Sequence, residues 1–373
     1  MDFHAAPEQQ ALIDSAVRLL QDHYSQTTSN ARTEFDAERW QQFAELGWLG
    51  TALAEGNGGL GLPESMLNIL VEALAPAAMP EPFVSQVSLA GYLLNAASPS
   101  ARRDECMAKW LAGDELVALA HHEAREQACF GQPVHTRATA RGDELVVQGH
   151  KAVVLDGGRA DRLLVSARLN DSAAMLLLLV PQDAPGLEVT RHATFDGREL
   201  ADVDLNGVVL SRDARLEFAE PVATRIDAAL RSFALHLAAD SLGTAKALFK
   251  LSHEHLAERE QFGVKLVEFQ ALQHRLVDMQ LAITRLESLL ALARTRSDAD
   301  GVSSAREFIA AAKIQAGVVG RHLAHESVQL HGAIGMTEEL LVGRYFKRLT
   351  ANELLGGTGV EHLRVFRAQR ALS

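Results

Sequence analysis

The chain is poor in cysteine. Its 373 residues include only Cys106 and Cys129, in no metal-binding or redox spacing, which argues against a disulfide scaffold and fits a reducing, cytoplasmic compartment. It also lacks a long hydrophobic run. The longest, Ala173 to Val180, is far short of the roughly 20 residues that span a bilayer, so no membrane segment is expected. Met1-Asp2-Phe3-His4 is not a charged leader before an apolar core, and no signal peptide is expected. Basic residues are in deficit. There are 36 Lys and Arg against 48 Asp and Glu, a net charge of −12, which disfavours nucleic acid or an anionic membrane as partner but leaves room for a local phosphate pocket. There is no nucleophile elbow and no phosphate-binding loop. Gly332-x-x-Gly335 follows a helical pattern rather than a strand, so it is no dinucleotide-binding turn of the strand-to-helix kind. His322, His325 and His331 lack an acid or cysteine to complete a ligand set, and no metal is expected.

What is present is an ordinary globular composition, 47% hydrophobic and 23% charged, with length enough for two or three domains and a large core. Three regions differ in period. Residues 1–118 read as helical: Leu12, Ile13, Ala16, Val17 and Leu20 recur at helical spacing, Trp40, Phe43 and Leu46 precede Gly47, and Pro63 opens a third helix. Residues 119–219 read as an antiparallel β-sandwich or barrel. There, residues 136–140 and 144–148 flank Arg141-Gly142-Asp143 as a hairpin, and short apolar strands follow at residues 153–155, 163–166 and 175–180. Residues 220–373 return to helices, spanning about 223–258, then a seam of Phe269, Leu272, Leu276, Met279, Ile283, Leu286 and Leu290, then about 304–330 and 338–355: a four-helix bundle.

Two segments of the last region carry the strongest signal. The first is Glu258-Arg259-Glu260-Gln261-Phe262-Gly263 with Phe269-Gln270. The second is Gln329-Leu330-His331-Gly332-Ala333-Ile334-Gly335-Met336-Thr337 with Gly343-Arg344-Tyr345-Phe346-Lys347-Arg348. Together they resemble the flavin-binding signatures of the acyl-CoA dehydrogenase family. The likeness extends to Met1-Asp2-Phe3 and to residues 43–50, and the ending Lys347-Arg348-Leu349-Thr350 is closest to the small-subunit type of pimeloyl-CoA dehydrogenase. The resemblance implies an α+β multidomain fold with an N-terminal helical domain, a middle antiparallel β domain and a C-terminal four-helix bundle. It also implies FAD, an acyl-CoA thioester oxidised between its α and β carbons, and an electron-transferring flavoprotein or similar acceptor. It assigns cofactor contacts to Arg259, Gln261, Phe262, Gln270, Gln329, Gly332 and Thr358. Of these, Arg259 reaches across a dimer interface to the pyrophosphate, where a permanent charge and bidentate geometry suit phosphate oxygens.

The same resemblance exposes what is missing. The family's base precedes a Gly-Thr pair or stands on the central helix, and the matching residues here are Gly356 and Phe233. A base must lie within hydrogen-bond reach of the α proton. Asp240, seven residues beyond Phe233, sits about 10 Å along the helix axis; Glu353, one turn before Gly356, is the nearest remaining carboxylate. In the β region, the family's Thr-Glu-Pro turn reads Ala120-His121-His122-Glu123-Ala124-Arg125, and its flavin-contacting Trp-Ile-Thr reads Val153-Val154-Leu155. Contacts lent to a partner survive while those for the chain's own site erode. The expectation is a subunit of a heteromeric dimer or tetramer that completes a second dehydrogenase-like subunit's FAD site. Paired subunits of this kind occur in bacterial breakdown of dicarboxylic acids and steroid side chains. The alternatives are a self-sufficient dehydrogenase using Glu353, and a helical assembly module without FAD.

Overall fold

The computed structural model describes residues 7–23, 35–124, 129–131, 134–170, 172, 174–337 and 340–370; Met1–His4, Arg125, Ala173 and the start of the span expected at 338–355 lie outside these. The chain divides into two compact units. One takes residues 1–33, 63–79 and 234–373, the other 34–62 and 80–233.

The second unit holds the sheet. Helix α2 (Ala37–Glu45) starts at Asp36, whose carboxylate accepts from the Glu38 and Arg39 amides, and ends where Gly47 takes the left-handed conformation at φ 73°. Short helices α4 (Phe83–Ser85) and α5 (Tyr92–Ala96) flank a π-helical stretch over residues 86–91, and α6 (Ala101–Leu111) is capped by Ser100. Eight strands follow: β1 (Val117–Ala120), β2 (Arg137–Arg141), β3 (Glu144–Leu155), β4 (Arg162–Leu169), β5 (Met175–Pro181), β6 (Leu187–Ala193), β7 (Glu199–Ser211) and β8 (Arg215–Leu216). The expected hairpin is present, with Arg141 opposite Glu144. The sheet runs β6-β7-β3-β2-β4-β5-β8, with β1 beside β4. It is not wholly antiparallel, because β1 and β2 both pair β4 in parallel. Alternation cannot announce this: Val117–Ala120 is buried at every position, which is how a strand covered on both faces reads. Ala138, Leu145, Val147, Val165, Leu178 and Val203 belong to its core.

The other unit is helical. It contains α1 (Pro7–His23), α3 (Glu64–Leu74) after Pro63, and most of α7 (Val222–Glu258), which is buried almost all round between residues 232 and 245. A two-stranded hairpin, β9 (Glu260–Gln261) with β10 (Val264–Lys265), then leads into α8 (Gln270–Ser304). Leu276, Met279, Ile283, Leu286 and Leu290 form the buried seam of α8. The seam does not reach back to Phe269, which is 36% exposed, or to Leu272, which is half-buried, because the chain there is still turning out of the hairpin. Helices α9 (Arg306–His331) and α10 (Leu341–Leu354) match the expected spans to within a turn. A further helix, α11 (Gly359–Arg370), packs on α9 and makes the C-terminal assembly larger than four helices. Its alternation of charged and apolar residues is too diluted to read as a core face. Among the described residues no helix is long and apolar enough to cross a membrane.

Candidate functional site

The residues expected to hold a dinucleotide stand at the surface of the helical unit. Arg259 follows the last turn of α7, and its amide donates to the His255 carbonyl at 2.9 Å. Its side chain is exposed and has no ion-pair partner among the described residues. Gln261, Gln270 and Gln329 are also exposed. Phe262 is 92% exposed and sits at φ 56°, a left-handed conformation that a bulky side chain adopts only under constraint. The hairpin supplies that constraint, pairing Gln261 with Val264, while the Phe269 ring meets Phe262 edge-on at 6.3 Å. Gly332 ends α9 at φ 66°, and an added side chain would meet no neighbouring atom there. Only the backbone conformation demands glycine at this position. The guanidinium, the ring and the left-handed glycine are thus all open at the surface of the helical unit.

Thr358 has a different local role. Its hydroxyl and amide both meet the Glu361 carboxylate, at 2.9 and 2.7 Å, and its hydroxyl accepts from the Glu361 amide at 3.4 Å. This is a reciprocal cap that starts α11.

The turn between α10 and α11, where the base would stand, carries two left-handed glycines, Gly356 at φ 65° and Gly357 at φ 92°. Its carbonyls are held from two sides. The buried Lys313 ammonium donates to Asn352 O at 2.7 Å, Gly357 O at 3.2 Å and Glu353 O at 3.3 Å. His362 Nε2 donates to Gly356 O at 2.8 Å. Sequence reading missed both residues, since a lysine and a histidine on helices announce nothing until the turn is folded over them.

Both substitute carboxylates already have partners. Glu353 is engaged through both oxygens by the Arg321 guanidinium on α9. Asp240 is buried and receives Arg348 at 2.9 and 3.0 Å and Asn352 Nδ2 at 2.5 Å. It is a paired buried acid, in keeping with its place too far along the helix axis to replace the base. Phe233 is buried and apolar.

In the sheet unit the matching residues are tied into internal bonds. The Lys151 ammonium, fully buried, donates to Glu123 at 2.9 Å, Ser166 Oγ at 3.1 Å and His121 O at 3.2 Å. Burial draws Lys151 down to about 8 despite the carboxylate beside it. Glu123 is lowered as well, to about 2: its own burial is outweighed by Lys151 and the Thr136 bonds together, so the pair stays ionised at neutral pH. His121 Nδ1 lies 2.9 Å from Ser166 Oγ, and burial lowers the ring to about 3, which keeps it neutral. Val154 is in the core, and Val153, at φ 57°, donates its amide to Asp202 at 3.3 Å. That amide is therefore already committed within the unit.

Residues 6–114 match the family model for the acyl-CoA dehydrogenase N-terminal domain, and residues 224–369 match that for the C-terminal domain. The chain is 28% identical to the acyl-CoA dehydrogenase FadE27 of Mycobacterium tuberculosis, over 98% of this chain and 97% of that protein. It resembles a chain of the ChsE4-ChsE5 complex from the same organism, with a TM-score of 0.86 and 25% identity, covering 100% and 99% of the two chains. A glutaryl-CoA dehydrogenase of Mycobacterium smegmatis in complex with FADH2 shares the fold, with a TM-score of 0.89 and 22% identity over 99% and 96% of the chains.

Proposed function

Because this chain belongs to the acyl-CoA dehydrogenase family, we propose that it serves FAD-dependent α,β-oxidation of an acyl-CoA thioester as one subunit of a heteromer, completing the FAD site of a second dehydrogenase-like chain. The observation that carries this reading is an asymmetry within the chain. Its outward cradle is intact: Arg259 has no counter-ion among the described residues, Phe262 is 92% exposed in a strained conformation, and Gly332 is open. Its inward chemistry is absent: Gly356 and Phe233 stand at the base positions, and Glu353 is bound by Arg321.

The cradle residues fit a flavin dinucleotide. When bound, FAD supplies the hydride acceptor. This chain's part is to bind and orient: Arg259 neutralises the pyrophosphate, Phe262 covers an aromatic face, and the Gly332 turn admits close approach. The proton acceptor for the thioester α carbon belongs to the partner, because no carboxylate of this chain is free at the expected places. A complex of differently named chains among the similar structures supports the heteromeric form. Pairing with a dicarboxylic or steroid side-chain dehydrogenase is the corresponding substrate class, and an electron-transferring flavoprotein is the acceptor.

The test is to purify the chain alone and with any dehydrogenase-like chain encoded beside it, then to measure acyl-CoA oxidation with an artificial acceptor and flavin per chain. The chain alone is expected to show no turnover, and the pair to carry FAD and activity. Robust turnover by the chain alone, abolished by Glu353→Gln, would replace this reading with self-sufficient catalysis. Absence of flavin from both preparations would leave an assembly module.

A further inference from the structure

The ends of α7 and α9 meet through two imidazoles. His255 lies in the last turn of α7, and His331 is the last residue of α9. Their ring centroids are 4.4 Å apart and their planes 26° from parallel. His331 Nδ1 is 2.8 Å from the Ser327 carbonyl, which only accepts, so Nδ1 carries a hydrogen. Burial lowers both rings below the ordinary imidazole range. His331 and Arg259 add to the effect on His255, against an opposing pull from Glu258. Two neutral rings stack without charge repulsion.

What the stack joins gives it meaning. On one side, the His255 carbonyl accepts the Arg259 amide, so the arginine is set by the backbone that carries the ring. On the other, His331 runs directly into the left-handed Gly332. The two elements of the cradle come from segments more than 70 residues apart in sequence, and this pair of rings joins their helix ends, beside the Ser252 hydroxyl that donates to Ser327 Oγ at 3.0 Å one turn earlier.

We propose that the His255–His331 stack is the positioning element of the dinucleotide site, fixing the separation of Arg259 and the Gly332 turn so that one FAD meets both. This rests on the FAD reading above. Neither ring needs to touch the cofactor. What the role requires is a flat uncharged ring at position 255.

FAD affinity is measured at neutral pH by flavin fluorescence titration of the assembly in which the chain is purified, alongside the melting temperature. His255→Ala is expected to weaken FAD about tenfold, and His255→Phe to hold it within about threefold, since stacking survives without the imidazole nitrogens. His255→Gln serves as the second non-aromatic variant where alanine compromises folding, with the same expected loss. Because the stack acts through Arg259, combining His255→Ala with Arg259→Ala is expected to add little to Arg259→Ala alone. A lower melting temperature with unchanged FAD affinity in His255→Ala and His255→Gln would reduce the stack to packing and overturn the proposal. Failure of His255→Phe to rescue would overturn it too, by showing that the ring nitrogens act directly. If Arg259→Ala weakens FAD and His255→Ala does not, positioning alone fails. If neither does, the FAD reading fails with it.

Discussion

Single residues in this chain hold positions that their chemistry resists. Asp156 is buried, left-handed at φ 60°, and receives the Ser85 hydroxyl at 2.6 Å. Burial raises its carboxyl from 3.8 to about 6, more than Ser85 and the neighbouring Arg159 and Arg198 lower it. An acid with a raised folded-state pKa favours the fold while protonated, so its contribution falls as pH rises from about 4 to about 6. Asparagine keeps the shape, tolerates the conformation and cannot ionise. Asp156→Asn is therefore expected to match the parent near pH 4 and to exceed it by about 3 kcal/mol at pH 7, taking about 1.4 kcal/mol for each tenfold change in proton affinity. Melting temperatures across that range check it, and a constant difference would count against it. Lys313 makes the opposite case, a buried cation satisfied by three carbonyls. Lys313→Met leaves those carbonyls without a donor and is expected to cost at least about 2–3 kcal/mol in thermal unfolding, with loosening centred on the Gly356 turn. Hydrogen exchange at residues 352–358 separates this from general destabilisation.

At the scale of elements, the hairpin between α7 and α8 does most to display the site. It is four paired residues around Phe262 and Gly263, and every residue from Glu258 to Lys265 is exposed. The conformation of Phe262 opposes its side chain by roughly 1–2 kcal/mol, since left-handed backbone is costly for anything but glycine. Phe262→Gly relieves that strain and removes the ring. The isolated chain is expected to hold or slightly raise its melting temperature, while flavin retention by the assembly falls about tenfold, the scale of an aromatic anchor. A variant that loses stability and keeps flavin would show the ring to be structural. The π-helical stretch over residues 86–91 belongs to the same scale. Gln86, buried at its start, accepts from the Trp110 indole at 2.9 Å and the Val117 amide at 3.1 Å. These bonds tie the helices of the sheet unit to its first strand.

For the whole molecule, the proposed cradle calls for another chain, and a closed symmetric assembly is the economical way to provide one. A dimer or a dimer of dimers is expected by light scattering at micromolar concentration, and a strictly monomeric particle would contradict it. In that assembly Glu353→Gln is expected to leave turnover largely intact, because the partner is proposed to supply the base while Glu353 is ion-paired with Arg321. Loss of several powers of ten in turnover with FAD retained would make Glu353 the base after all.

The sequence alone determined the fold class and nominated the residues of the proposed outward site. Hydrophobic period separates helix from strand locally, and Arg259, Phe262, Gln329 and Gly332 sit in short contiguous motifs whose chemistry travels with the residues themselves. It also showed that no glutamate precedes Gly357-Thr358. The tertiary structure decided everything that depends on partners distant in the chain. It set β1 and β2 parallel to β4, added α11, and ended the α8 seam before Phe269. It gave Glu353 to Arg321 and Asp240 to Arg348 and Asn352, and it closed Lys313 and His362 over the Gly356 turn. A carboxylate's role is fixed by what stands within about 3 Å of it, and that is set by how separate helices pack rather than by the residues beside it in sequence.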